Sequence, residues 1–460
     1  MISGAVFQAC HKTEVTKLGG DGLSPTIING KDYTTWQFID NVSRECYFWE
    51  SNIPKYLDYT KYDTPQDFFD QAIRYKDDHF SAITDNYSEM EEYFDNEIKT
   101  DGINMELFAT ADHHVLGVVN YVYDNTPAAR EGIRRGCVIK AVNGQEMTID
   151  NYDRLLDLDQ CTYTYSQGMV DEDYNVNYDG GSLTTTKLIT KEKCRIDPVL
   201  MVRSGEVNGR KYGYLVYDAF TESTGEIMNA IAELKKDDPT DLILDLRLNG
   251  GGYVSTLDTL ASMLVPDGNV GKVFISTIFN KYMTDYYREI GGRDFATERF
   301  VEIAPKLQLQ NIYVLMSRNT ASASEELISG LSPYVNVIKI GENSYGKYTT
   351  NILLNNDMDG SDDNGIPYRS WAEYVTIGTC QNSLGEMEFS NGFAPDYEVF
   401  DPMCLQLGDE SEPLLNQAIQ LIGGSLAKKS TVSASRQYRY LGSRGKPGIT
   451  RGAMIIRAKN

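Results

Sequence analysis

The stretch "TDLILDLRLNGGGYVSTLDTLASML", Thr240 to Leu264, decides the fold. Thr240–Leu248 reads as one continuous buried strand, Gly250, Gly251 and Gly252 follow at once, and the remainder has helical spacing. Upstream, "GRKYGYLVYDAF" reads as a strand and "FTESTGEIMNAIAELKKD" as a helix. Downstream come the strand "NIYVLMS", the helix entered through "NTASASEELISGL" (Asn319–Leu331), and the strand "NVIKIGE". Strand, helix and strand in regular alternation predict an α/β core with βαβ crossovers over residues 201–425.

Outward from that core the pattern changes twice, so the chain as a whole is expected to be multidomain α+β. Residues 31–98 carry helical spacing, with Trp36, Ile39 and Cys46 on one stripe. A second helix is announced by "TPQDFFDQAIRY", where Thr64 caps, Pro65 takes the first helical position and Asp67 closes a capping box. Residues 99–200 are rich in short β runs such as "VLGVVNYVY". There Pro127 starts a short helix, "CVIKAV" alternates as a strand, and Asn143-Gly144 signals a hairpin turn. "DEDYNVNYDGG" in this region reads as a solvated acidic loop. From Lys428 to Asn460 the chain holds nine basic residues and no acidic one, which predicts a mobile basic tail over 426–460.

At 460 residues the chain can bury two or three cores without a staple. A net charge of −23 argues against a general nucleic-acid binder and serves solubility. Seven cysteines, Cys10, Cys46, Cys137, Cys161, Cys194, Cys380 and Cys404, contain no C-x-x-C pair. Neither a zinc site nor a cofactor is therefore expected, while one or two disulfides stay open. Residues 1–30 read as leader and linker. "MISGAVFQAC" lacks the basic start and full apolar stretch of a signal peptide, yet resembles the end of a bacterial lipoprotein signal, with Cys10 as the lipidated residue. A frayed N-terminus is the alternative. No later segment approaches the ~18 to 20 apolar residues of a membrane span, so membrane contact is expected only through a lipid at Cys10.

Three glycines between a strand and a helix suit phosphate cradling, an oxyanion hole or merely a tight turn. The spacing fits neither G-x-x-x-x-G-K-[ST] nor G-x-G-x-x-G. Two serines, Ser322 and Ser324, stand at the entry of the helix after the next strand, where a serine can cap or attack. Attack needs a base. The four histidines, His11, His79, His113 and His114, all precede the α/β core. Lysine is the remaining strong base within reach, and "SYGKYTTN" places Lys347 one helix and one strand beyond the serines. To act at neutral pH its pKa must fall from about 10.4 to about 7 or 8, which requires a desolvated amine.

These strings resemble the C-terminal processing, or tail-specific, serine peptidases, which join a PDZ module to an α/β core and use a Ser-Lys dyad. The resemblance covers about Asp101 to Ile422, and the helical start is similar to the extra N-terminal domain of envelope-type bacterial members. It implies Ser322, the first serine of S-A-S-E, as nucleophile, Lys347 as general base 25 positions on, and the amides of Gly252 and Ala323 as oxyanion hole. "NGFAPDYEV" also resembles a late signature of the family. Many members carry glutamine four residues after the lysine to orient it; here that position is Asn351, one methylene shorter. In the PDZ-like stretch, "DGINME" makes Gly102, Ile103 and Asn104 the candidate loop for the terminal carboxylate of a polypeptide partner. The implied activity is a serine endopeptidase of the bacterial cell envelope acting on polypeptides, without cofactor; the alternative is a catalytically inactive PDZ-type peptide-binding protein.

Two other readings fail on pattern. Ser344-Tyr345-Gly346-Lys347 fits S-x-x-K, but no K-T-G follows. "NNDMDGSDDNG" begins like an EF-hand loop, yet its twelfth position is Ile366 instead of an acid.

Overall fold

The structure, a computed structural model, describes residues 25–291, 296–386, 389–424 and 438–444; Cys10 lies outside them. Helix α1 (Thr34–Cys46) buries Trp36, Phe38, Ile39, Val42 and Cys46. At Pro65 a second helical stretch opens, and Thr64 Oγ1 accepts the Asp67 amide at 3.0 Å, the cap that the sequence announces. Phe68, Phe69 and Ile73 from that stretch join α1 in one core with Phe279, Ile352, Trp371, Val375 and Ile377. The helical N-terminal residues therefore share their core with later strands. Strand β1 (Ala82–Thr84) makes the same connection through the backbone, as described below.

The middle of the chain is an antiparallel sheet. It contains β2 (Ile103–Ala109), β3 (Val115–Val122), β4 (Cys137–Val142), helix α2 (Tyr152–Asp157) packed on one face, β5 (Tyr163–Val170) and β6 (Val176–Tyr178). Asn143 and Gly144 both take positive φ, 51° and 71°, as a tight hairpin turn after β4 requires. Met105, Leu107, Val119, Ile139 and Val142 meet Leu155 and Leu156 of α2 in its core.

Next comes the α/β core. β7 (Val199–Val207) and β8 (Arg210–Tyr217) form a hairpin, and α3 (Thr224–Lys235) crosses from β8 to the parallel β9 (Asp241–Asp245). α4 (Val254–Leu264) follows the glycines. An excursion through β10 (Val273–Phe279) and β11 (Thr297–Arg299) precedes β12 (Asn311–Met316), and α5 (Ala323–Leu331) leads to β13 (Asn336–Gly341). β14 (Thr349–Asn355), β15 (Ala372–Asn382), β16 (Tyr397–Glu398), α6 (Pro413–Ile422) and β17 (Arg439–Arg444) follow in chain order. The central sheet has the order β7-β8-β9-β12-β13-β16, parallel from β8 onward. Leu242 and Leu244 face the core under α3, α4 and α5, while Ile243 faces α6. Cover on both faces is why Leu242, Ile243 and Leu244 follow one another in β9 without a polar residue between them. A second sheet, β11-β10-β15-β14 with β1 on β15, stands beside it.

Two expectations change. Residues 439–444, placed in a mobile tail by their composition, form β17 and close the free edge of β2 in antiparallel pairing. Backbone pairing and the acidic side chains of α2 hold this basic strand, a long-range effect that tail composition does not report. The acidic stretch beginning at Asp171 is also more than a solvated loop. Tyr174 stacks on the Arg318 guanidinium at 4.4 Å and its hydroxyl donates to Glu342. All six described cysteines are free thiols.

The antiparallel sheet is fastened to the core by buried charge. Asp401 accepts both of its oxygens' bonds from Arg135 Nη2 at 2.6 Å and a further bond from Arg247 Nη1 at 2.9 Å. Burial opposes its ionisation, yet the two guanidiniums overcome that and hold the Asp401 carboxyl well below the usual carboxylate range. Removing one member of such a cluster leaves charge buried and unpaired, at a cost of roughly 3 to 5 kcal/mol. Asp401→Ala is expected to lose that much in urea unfolding; a loss below about 1 kcal/mol would show that the clamp does not hold the two parts together.

Candidate active site

Two turns at the C-terminal end of the parallel strands build the site. After β12 the chain is tied down residue by residue. Ser317 Oγ donates to the Arg247 carbonyl at 2.7 Å, Thr320 Oγ1 to the Leu246 carbonyl at 2.8 Å, and the Ala321 amide to the Asn249 carbonyl at 3.1 Å. Held between these ties and α5, Ser322 adopts φ 56° and ψ −118°, a conformation that L residues rarely take and that recurs at functional turns. The fate of the two serines differs. Ser324 is fully buried and its hydroxyl donates to the Asn249 carbonyl at 3.1 Å. Ser322 instead presents its oxygen to Lys347, whose Nζ is 3.5 Å away.

Lys347 is 1 % exposed. Burial lowers its pKa from 10.5 to about 8, against the opposing pull of Glu326, Cys380, Asp78 and Glu325. Its Nζ also donates to the Tyr374 hydroxyl at 3.0 Å. Glu325, in the first turn of α5, connects the two loops. Its carboxylate accepts from the Ser322 amide at 3.0 Å, the Ser344 hydroxyl at 2.5 Å, and the amides of Gly346 and Lys347 at 2.7 and 2.8 Å. Burial raises its pKa to about 7, and these same bonds restrain the rise.

The glycine loop completes the constellation. A Cβ on Gly251 would stand 2.7 Å from Ser322 Cβ and 3.0 Å from the Ala323 nitrogen; one on Gly252 would stand 2.2 Å from the Phe220 oxygen. Both glycines have positive φ, 100° and 144°, whereas a Cβ on Gly250 would meet nothing within 4 Å. Among the described residues, the amides of Gly252 and Ala323 donate to no group. A second glycine contact locks the lysine loop, since a Cβ on Gly392 would fall 2.2 Å from the Ser344 oxygen. That contact accounts for the "NGF" string.

The sequence profile of Peptidase family S41 matches residues 211–399, and that of the Peptidase S41 N-terminal domain matches residues 35–82. The chain belongs to peptidase family S41. It is 29% identical over 313 residues to the chloroplastic C-terminal processing peptidase of Tetradesmus obliquus, covering 63% of this chain and 60% of that one. To the carboxy-terminal-processing protease of Bartonella bacilliformis it is 25% identical over 313 residues, covering 66% and 62%. The matches thus span about three fifths of each relative's length. A solved structure of a Bacteroides fragilis protein described as an S41 protease has the same fold, with a TM-score of 0.69 at 23% identity over 88% of this chain and 98% of that one.

Within this S41 fold the residues expected at the site divide. Ser322, Lys347, Gly252 and Ala323 belong to the adjoining loops just described. Asn351 does not reach the lysine. It lies at a register shift in β14, where its oxygen accepts from Thr349 Oγ1 at 3.0 Å and its amide donates to Thr376 Oγ1 at 3.1 Å and the Phe80 carbonyl at 3.4 Å. Tyr374, brought in by the pairing of β15 with β14, holds the amine instead. Gly102, Ile103 and Asn104 lie in the antiparallel sheet. The Gly102 amide donates to Thr100 Oγ1 at 2.9 Å and the Ile103 amide to Asp101 Oδ1 at 3.0 Å, so these two are not free for a terminal carboxylate. Glu325 carried a signal that reading the serines alone passes over: S-x-x-E is a capping-box spacing. Tyr374 carried none.

The glycine geometry separates three neighbouring positions. Gly250→Ala is expected to change stability by less than about 0.5 kcal/mol. Gly251→Ala and Gly252→Ala force both strained φ and a clash, and are expected to cost roughly 1 to 3 kcal/mol or more in chemical unfolding. Equal effects at all three positions would contradict the packing described.

Proposed function

We propose that this S41 member is a serine endopeptidase in which Ser322 attacks and Lys347 is the general base. The observation that carries the reading is an almost fully buried amine, with its pKa drawn down to about 8, standing 3.5 Å from the Ser322 oxygen. A resting separation at the outer limit of a hydrogen bond is one that substrate tightens. Neutral Lys347 removes the Ser322 proton as Oγ bonds to the scissile carbonyl carbon, and the amides of Gly252 and Ala323 receive the oxyanion. The ammonium then gives its proton to the departing amine as the C–N bond breaks. Water attacks the resulting ester, Lys347 takes the water's proton, and the proton returns to Ser322 on release. Tyr374 acts as a positioning residue, fixing Nζ without touching the reacting carbonyl.

Polypeptide substrates are supported by the names of the relatives, which refer to carboxyl-terminal processing. The antiparallel sheet with α2 serves as the PDZ-type holding module. With the Gly102 and Ile103 amides already bonded, holding relies on strand pairing along β2 more than on capture of a carboxylate. A bacterial envelope setting with a lipid at Cys10 rests on the sequence resemblance.

The test is cleavage of an unstructured polypeptide, followed by gel and mass spectrometry. Ser322→Ala and Lys347→Ala are each expected to lower kcat/KM by roughly 10³-fold or more. Unchanged cleavage by either variant removes that residue from the mechanism, and binding without cleavage by the parent chain would favour the inactive binding module. The pH dependence has a defined sign. The active form of Lys347 is the neutral amine, whose fraction grows as pH rises through about 8, so kcat/KM should climb from pH 6 and level off above that value. Tyr374→Phe removes an acceptor that favours the ammonium. It should reduce kcat and move this limb about one unit lower, whereas a purely structural role would leave the limb in place.

A further inference from the structure

The edge of β2 is filled by the chain's own residues. β17 runs antiparallel to it, pairing Arg439 with Ala109, Tyr440 with Phe108, Gly442 with Leu107, Ser443 with Glu106 and Arg444 with Met105. The pairing is not a plain ladder. Register shifts at Leu441, between Tyr440 and Gly442, and Gly442 takes φ 119° to allow the bulge. Leu441 packs against the core shared by Met105, Leu107, Leu155 and Leu156, and so lies between β2 and α2. Three residues on, Arg444 Nη1 donates to Asp153 Oδ1 at 2.7 Å and its Nη2 pairs with Asp157, both on the outer turns of α2. Backbone from an edge strand, one apolar pocket and one acidic helix face are the parts of a groove for extended polypeptide.

This seat also touches the catalytic side. The Tyr440 hydroxyl donates to Glu106, whose other oxygen accepts from Asn319 Nδ2 at 2.6 Å. The Tyr440 ring lies 4.5 Å from the Arg318 guanidinium, four residues before Ser322, with Tyr174 on a second contact at 4.4 Å.

We propose that residues 439–444 are a ligand in cis of the groove between β2 and α2. They obstruct it until a substrate displaces them, and they display the chemistry it selects: an extended internal segment with an apolar residue followed three positions later by a basic one. The inference rests on the reading of this sheet as the holding module and goes beyond it by naming the resident occupant and the side chains read. Asp153 and Asp157 are each more than half exposed, so neither ion pair alone is strong. Affinity comes from pairing, Leu441 and Arg444 together, which is why the test changes two residues.

The probe is a fluorescein-labelled peptide YRYLGSR, corresponding to Tyr438–Arg444, followed by anisotropy on the full chain carrying Ser322→Ala so that binding is read without cleavage. A tethered competitor acts at an effective concentration of roughly millimolar, so the parent should bind the probe weakly. L441D/R444E should bind it at least about 10-fold more tightly, and adding D153K/D157K should reverse the gain. Equal binding by parent and L441D/R444E, or indifference of the probe to its own Leu→Asp and Arg→Glu changes, overturns the proposal. If the double variant fails to fold, hydrogen exchange on the Ser322→Ala chain decides: saturating free peptide should speed exchange at 439–444, and unchanged exchange overturns the proposal. In the chain with Ser322 intact, L441D/R444E should raise kcat/KM about 10-fold for an unstructured polypeptide. Absence of any cleavage would sink the peptidase reading while leaving the anisotropy result to judge the groove.

Discussion

One carboxylate links the halves of the active site. Glu325 accepts four bonds, from the backbone of Ser322 on one side and from Ser344, Gly346 and Lys347 on the other. The serine turn and the lysine loop come from different strand ends, and no covalent feature fixes their separation. A buried carboxylate without donors would be costly. Here the need to satisfy it pulls both loops to one point, so its desolvation becomes a positional constraint on the nucleophile and the base together.

The packing around this point serves the same end. Gly251 lets the glycine loop approach Ser322 as closely as it does, and Gly346 lies so near the Gly392 segment that a Cβ on it would stand 2.7 Å from the Gly392 nitrogen. Lys347 is left among Tyr374, Glu326 and Glu325 with almost no access to solvent. Glu326 is itself buried, and burial raises its pKa, a rise that a hydrogen bond with Cys380 and then the amine of Lys347 only partly offset. It tempers the fall of the lysine's pKa: an isolated buried amine would lose basicity further, and a fully paired one would keep its proton.

Much of this was legible in the chain. Apolar runs alternating with amphipathic helices announced the α/β core, because cover on both faces leaves apolar residues such as Leu242, Ile243 and Leu244 in succession along a parallel strand. The Ser322 and Lys347 strings stood out because the chemistry needs particular residue types near turns. Tyr374 was invisible, since its contact with Lys347 arises from the register between β14 and β15, and register across a bulge is not written in local composition. Asn351 misled for the same reason: the shift at Thr350 turns it toward Thr376 and Phe80. The basic tail misled because composition reports what a segment prefers in water, not whether an edge strand elsewhere will accept it.

That accepting edge has a consequence for biosynthesis. Glu106 and Tyr440 are 334 positions apart, and a ribosome adding about 5 to 20 residues per second needs about 17 to 67 seconds to cover that distance. Throughout that interval the nascent β2 presents unpaired amides and carbonyls, an invitation to intermolecular strand addition. Chains made side by side on one message are therefore exposed to mutual pairing, and a holding chaperone with affinity for extended segments would be of most use between emergence of residue 109 and emergence of residue 444.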